Sequence, residues 1–148
     1  MTTSLLTWAF PLTLTISVFG FGCSSSSGTT PTPDAAGSTP TLTEVYADVI
    51  TAGGCPACHN STGEASFLPL DTQADFFKNT VSQKAGSDCA SSGMDLIVPS
   101  DAATSLLYLK VTEAKPPCGG EMPLGKTALS ATLTGELEAW ITAGAKND

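Results

Sequence analysis

The hydrophobic and polar positions divide this 148-residue chain into an apolar opening, a polar tract and a region of helical periodicity. Leu5 to Gly22 is uncharged and dominated by Leu, Phe, Val, Ile and Thr. Ser24 to Pro40 is Ser, Thr, Pro, Gly and Ala with Asp34 as its only charge. From Leu42 onward, Leu42, Val45, Tyr46, Val49 and Ile50 recur at a spacing that puts them on one face of a helix. Thr41-Leu42-Thr43-Glu44 opens that helix as a capping box, and Gly53-Gly54 ends it. Asp71 or Thr72 is placed to cap a short helix that turns Phe76, Phe77 and Val81 inward. Ser100 or Asp101, after Pro99, caps a helix carrying Leu106, Leu107, Leu109 and Val111, and Pro116-Pro117 forbids its continuation. Ser130 starts a last helix presenting Leu133, Leu137, Trp140 and Ile141, with Gly144 as its stop. Cys55 to Pro69, Gln83 to Pro99 and the Gly-rich stretch around Met122 read as loops. No segment alternates as a half-buried strand would, so the region from Thr41 is expected to be all-α with long loops.

Composition narrows the functional classes. A formal net charge of −8, with no Arg, argues against nucleic-acid binding, which needs clustered cations against phosphate. The acidic residues are scattered, as on solvated faces. A single His excludes sites that need two imidazoles, such as multi-His zinc and di-iron centres. Aromatic residues make up only 7% of the chain, so something other than side chains is expected to help fill the centre.

The apolar opening ends at Gly22, Cys23 follows, and the Ser-rich tract comes after it. A short apolar run, a small residue at the cut and a polar tract beyond read as a secretory signal. The Cys at the junction makes the segment resemble a bacterial lipoprotein signal, which implies removal of residues 1–22 and lipidation of Cys23. The alternatives are an uncleaved anchor, marginal with Pro11 and interspersed Thr and Ser, and plain secretion. All three export the rest of the chain to an oxidising compartment. Residues 23–40 are expected to be a flexible linker and 41–148 the folded domain, because the tract between has no large apolar residue to offset its ordering entropy.

Cys55-Pro56-Ala57-Cys58-His59 is the strongest chemical signal. C-x-x-C-H reads as a c-type haem attachment site. Two thiols add across the haem vinyl groups as thioethers, two intervening residues let one turn bridge that span, and the next residue offers its imidazole to the iron. Two other readings use the same residues. Cys55 and Cys58 would form a thioredoxin-like dithiol if a strand and a βαβ pattern surrounded them. Cys55, Cys58, Cys89 and Cys118 would hold zinc if their thiolates stayed reduced after export. A sixth iron ligand has two candidates, Met94 and Met122. Met94 precedes the apolar Leu96-Ile97-Val98 and is expected to pack, whereas Met122 lies in the Gly-rich loop Cys118-Gly119-Gly120-Glu121-Met122-Pro123, which suits closure over a haem face.

With C-P-A-C-H, a M-P loop some sixty residues on and a C-terminal helix in order, the chain resembles the class I cytochrome c domain. Ser105-Leu106-Leu107-Tyr108, Leu129-Ser130 and Trp140-Ile141-x-x-Gly144-Ala145 look like such domains in myxobacterial or planctomycete lipoproteins. The resemblance covers about Thr41 to Ala145. It implies four to five helices with long loops around one covalent haem c, Cys55 and Cys58 holding the haem, and His59 and Met122 as axial iron ligands. It also implies that a carbonyl in the loop, at Pro69, accepts the His59 ring N–H. The insert Gln83 to Ile97 is absent from short cytochromes of this class. In an oxidising compartment the remaining Cys89 and Cys118 are expected to pair.

The expected function is therefore one-electron transfer by an exported, membrane-anchored lipoprotein on the periplasmic side or at the cell surface. Its partners would be redox proteins, with no nucleic acid and no small-molecule substrate. With both axial positions filled it would be a carrier and not an enzyme. A haem-based sensor or redox-enzyme subunit, in which Met122 dissociates, and a non-haem, disulfide-stapled binding module are the alternatives.

Overall fold

The computed structural model describes residues 38–148. The expected signal segment 1–22, Cys23 and most of the expected linker lie outside the described residues. The described chain is mostly helical, and its extended pairing is limited to isolated bridges: Val81 with Ile97, Lys84 with Asp95 and Val98 with Asp101. None of the described helices is long and apolar enough to cross a membrane.

Helix α1 spans Leu42–Glu44 and runs on as a π-helical stretch, Val45–Thr51. Its start is the expected capping box: the Thr41 hydroxyl accepts from the Glu44 N–H at 3.3 Å, and the Glu44 carboxylate accepts from the Thr41 N–H at 2.7 Å. The Thr41 N–H, and its hydroxyl at 2.9 Å, both donate to the Glu44 carboxylate and hold that carboxyl below its ordinary pKa. The carboxylate half of the cap is thus fully effective above the usual carboxylate range and is lost as pH falls through the lowered value. The wider winding is the first departure from the periodicity, visible where the Ala52 N–H donates to Ala47 five residues back.

Helix α2 is Gln73–Thr80, capped by Thr72. Phe76 is fully buried, stacked obliquely between Tyr46 and Trp140 at ring separations of 6.2 and 5.7 Å. Thr80 is buried as well, its hydroxyl satisfied by the Phe76 carbonyl at 2.6 Å, so its polar atom costs little.

The helix expected from Ser100 or Asp101 is divided in two. Asp101 caps a single 3₁₀ turn, Ala102–Thr104, and α3 begins only at Leu106, ending at Thr112. Ser105, fully buried and extended at ψ 111°, separates them. Its hydroxyl donates to the Asp101 carbonyl at 2.7 Å and accepts from the Val98 N–H at 2.8 Å. A residue tied to the preceding segment in this way cannot stay in helical register. Ser105→Ala would leave the partly buried Val98 N–H without its partner. We expect a loss of about 1–3 kcal/mol, read as a lower denaturant midpoint at unchanged slope.

Helix α4 is Ala131–Thr142, capped by Ser130, and Gly144 leaves it at φ 106°. It packs chiefly on the π-helical stretch. Leu42, Val45, Val49, Ile50, Leu137, Trp140 and Ile141 form one buried cluster with Phe76 and Ile97, as the two apolar faces require. The same packing brings Glu136 near Asp48 and Glu44, and burial followed by that repulsion raises its pKa. Trp140 belongs to this core, and its indole N–H donates to the Lys146 carbonyl at 3.1 Å.

A second, smaller core comprises Ala85, Cys89, Leu96 and Leu106, with Met94, Leu68 and Cys118 packed on it. Met94 therefore packs, as its neighbours in sequence imply. The Gln83–Ile97 insert folds back on itself through the Leu96 N–H to Gln83 and the Ala85 N–H to Met94. It is joined to the Gly-rich loop by the Cys89–Cys118 disulfide.

Candidate functional site

Two glycines deliver the chain into C-x-x-C-H. A Cβ at Gly53 would stand 2.2 Å from the Val49 carbonyl oxygen, and Gly54 has φ +74°. Only glycine passes this exit from the helix without displacing backbone. Cys55–Ala57 then form a 3₁₀ turn with Pro56 inside its first positions. The Cys55 carbonyl accepts from the Cys58 N–H at 3.2 Å and from the His59 N–H at 2.9 Å, so both thiols and the imidazole leave one tight turn. Asn60 closes it from below: its Nδ2 donates to the Pro56 carbonyl at 2.8 Å and to that of Ala57 at 3.3 Å. No spacing rule pointed to Asn60; its signal is only that Asn bonds readily to nearby backbone.

The two thiols differ. Cys55 is half-buried against the main core, and burial raises its pKa. Cys58 is exposed, and neither thiol is in a disulfide. His59 is anchored by its main chain, which accepts from the Leu70 N–H at 2.8 Å. Its ring meets Phe67 edge-on at 6.4 Å, and burial lowers its pKa against a smaller opposing effect of the Leu68 backbone.

The ring's Nδ1 is buried without a hydrogen-bond partner. The Pro69 carbonyl, expected to accept from this ring, accepts from Asn79 Nδ2 at 2.8 Å. Asn79 lies on α2, one turn beyond Asp75, and its amide reaches the loop carbonyl that the imidazole was expected to take.

The loop with Met122 is bonded to α3 on one flank and reaches the entry to the motif on the other. On one side, the Met122 N–H donates to the Lys110 carbonyl at 2.7 Å, and the Lys110 charge depresses the His59 pKa. On the other, Lys126 Nζ lies 3.9 Å from the Cβ position of Gly54, and its charge favours the Cys55 thiolate. Leu129 lies 3.2 Å from the Cβ position of Gly53. Met122 is half-buried. Among the described residues, the two large apolar side chains most exposed to solvent, Phe67 and Leu124, belong to these same two loops.

The donor set suits haem c: two unbonded thiols and an imidazole leave one turn, and a soft thioether stands on the loop bonded to the Lys110 carbonyl. It does not suit the alternatives equally. The zinc reading loses Cys89 and Cys118 to the disulfide, and no cluster of three His, Cys, Asp or Glu side chains is found among the described residues. The thioredoxin-like reading requires a strand before the motif, and a π-helical stretch stands there.

Comparison with known proteins adds nothing further: no protein-family model, curated protein or solved structure matches the chain.

Proposed function

We propose that this chain is an exported electron-transfer protein with one covalent c-type haem in a class I cytochrome c-like domain. The observation that carries the reading is the asymmetry among the cysteines. Cys89 and Cys118 are joined, while Cys55 and Cys58, only three residues apart, stand unbonded on the turn before the sole His. A pair so close would readily oxidise after export unless it were committed to another covalent partner.

Cys55 and Cys58 would hold the haem by thioethers, and His59 and Met122 would be its axial ligands. Bound there, the group supplies an iron that cycles between Fe(II) and Fe(III). The chain's own residues orient and shield. The turn closed by Asn60 aims the imidazole, the Gly119-Gly120 loop carries the thioether, and Phe67 and Leu124 offer apolar surface to a large flat cofactor. Filling both axial positions makes the protein a carrier, anchored through Cys23 and exchanging electrons with redox proteins.

Protein coproduced with the bacterial cytochrome c maturation machinery is expected to give a covalent pyridine haemochrome at one haem per chain. Colourless protein with a Cys55–Cys58 bridge in mass spectra would instead favour a disulfide-stapled binding module. Rapid carbon monoxide binding to the reduced protein, without displacement of a strong-field ligand, would favour a sensor or enzyme subunit.

A further inference from the structure

The last turn of helix α3 carries a lysine, Lys110, that is engaged at both its main chain and its side chain. The last carbonyls of a helix have no partner within it. Here the Leu109 carbonyl accepts from Glu113 at 2.9 Å, and the Lys110 carbonyl is left to accept from the Met122 N–H at 2.7 Å. The Lys110 ammonium folds the other way and donates to the Cys118 carbonyl at 2.8 Å and to the Gly120 carbonyl at 3.1 Å. These are the carbonyls on either side of Gly119, which has φ +61°. A Cβ at Gly119 would stand 2.8 Å from Lys110 Nζ and 3.5 Å from Cys89 Sγ, so the backbone arches directly over the ammonium with no room for a side chain. The loop is thus gripped at residues 118, 120 and 122 by one residue of a rigid element, beside the disulfide that ties it to the insert.

We infer that Lys110 is a positioning residue: it holds the Gly119-Gly120 arch so that Met122 is presented to the cofactor site, and it is a determinant of how firmly the thioether stays in place. This rests on the haem reading for its functional consequence, but the clamp itself is a property of the polypeptide. The Asp88 carboxylate is near enough to favour the ammonium, yet the hydrogen bonds go to loop carbonyls. A charged donor to a carbonyl is stronger than a neutral one, so the grip is concentrated in the side chain.

The test compares Lys110→Leu, which keeps an apolar stem and removes every donor, with Lys110→Arg, which restores charge and donors. Amide hydrogen exchange at residues 119–122 is expected to be about tenfold or more faster in Lys110→Leu, with α3 and α4 unchanged, and to return toward wild type in Lys110→Arg. In haem-loaded protein the same leucine variant should weaken the sulfur-to-iron charge-transfer band, lower the reduction potential and speed carbon monoxide binding, again with recovery in arginine. Unchanged loop exchange in Lys110→Leu overturns the inference, as does faster exchange spread evenly over all four helices, which would mark general destabilisation. A wild-type protein without covalent haem defeats the haem reading and leaves the exchange experiment to decide the clamp. Covalent haem with an unaltered band and potential in Lys110→Leu defeats the positioning role and leaves the haem reading standing.

Discussion

Protein carrying Cys55→Ser and Cys58→Ser together is expected to emerge from the maturation system without covalent haem. The loss should be essentially complete, because two thioethers are the only covalent links the C-x-x-C-H turn can supply. Acid–acetone extraction followed by the pyridine haemochrome assay reads it directly. Each single variant should retain at most one thioether, which shifts the α-band of the haemochrome. His59→Ala is expected to prevent stable low-spin haem, since no other imidazole exists in the chain. Cys55 stands half-buried against the core, so its replacement is expected to affect folding slightly more than that of exposed Cys58, and circular dichroism of both variants separates that effect from loss of haem. Haem still covalently bound in the double variant would sink the assignment of these thiols.

Cys118→Ser is the second large effect. The disulfide it removes closes a separation of 29 residues. In the chain-entropy account that constraint is worth about 3–4 kcal/mol. A fall in the thermal midpoint on the order of 15 °C should follow. The consequence reaches beyond stability, because Cys118 is four residues before Met122 and its carbonyl is one of the two gripped by Lys110. We therefore expect the haem spectrum and reduction potential to report a loosened thioether well below the unfolding temperature. Cys89→Ser should reproduce both effects by opening the same bond from the insert side. A lowered midpoint with an unaltered spectrum and potential would mean that the bridge stabilises the domain without steering the loop.

Much of the local structure was legible from short-range patterns. The Thr41–Glu44 box, the Thr72 and Ser130 caps and the Gly144 stop depend on groups three or four residues apart, and they form as expected. The Cys89–Cys118 disulfide is present, as expected of the two cysteines for which the sequence offered no other use. The division of the third helix did not follow, because it depends on the buried Ser105 hydroxyl reaching Val98, a partner seven residues away on a different segment. The π-helical winding of Val45–Thr51 was equally hidden, since a stripe of Val and Ile is compatible with either winding. The bond from Asn79 to the Pro69 carbonyl was hidden for a similar reason, since its donor stands on a helix ten residues further along the chain.

Sequence by itself determined the all-helical class, the element borders set by caps and breakers, and the chemistry available at Cys55, Cys58, His59 and Met122. These rest on near-neighbour stereochemistry and on residue type, both of which are fully written in the chain. Only the tertiary structure decided which of those groups share a neighbourhood. Docking of α3 beside the Gly-rich loop puts the Lys110 carbonyl and ammonium under Met122, and packing of Leu129 on Gly53 brings the loop's far flank to the motif. Those contacts join residues many positions apart, so they arise only when burial of the common apolar core selects one arrangement of the helices from the many that local rules allow.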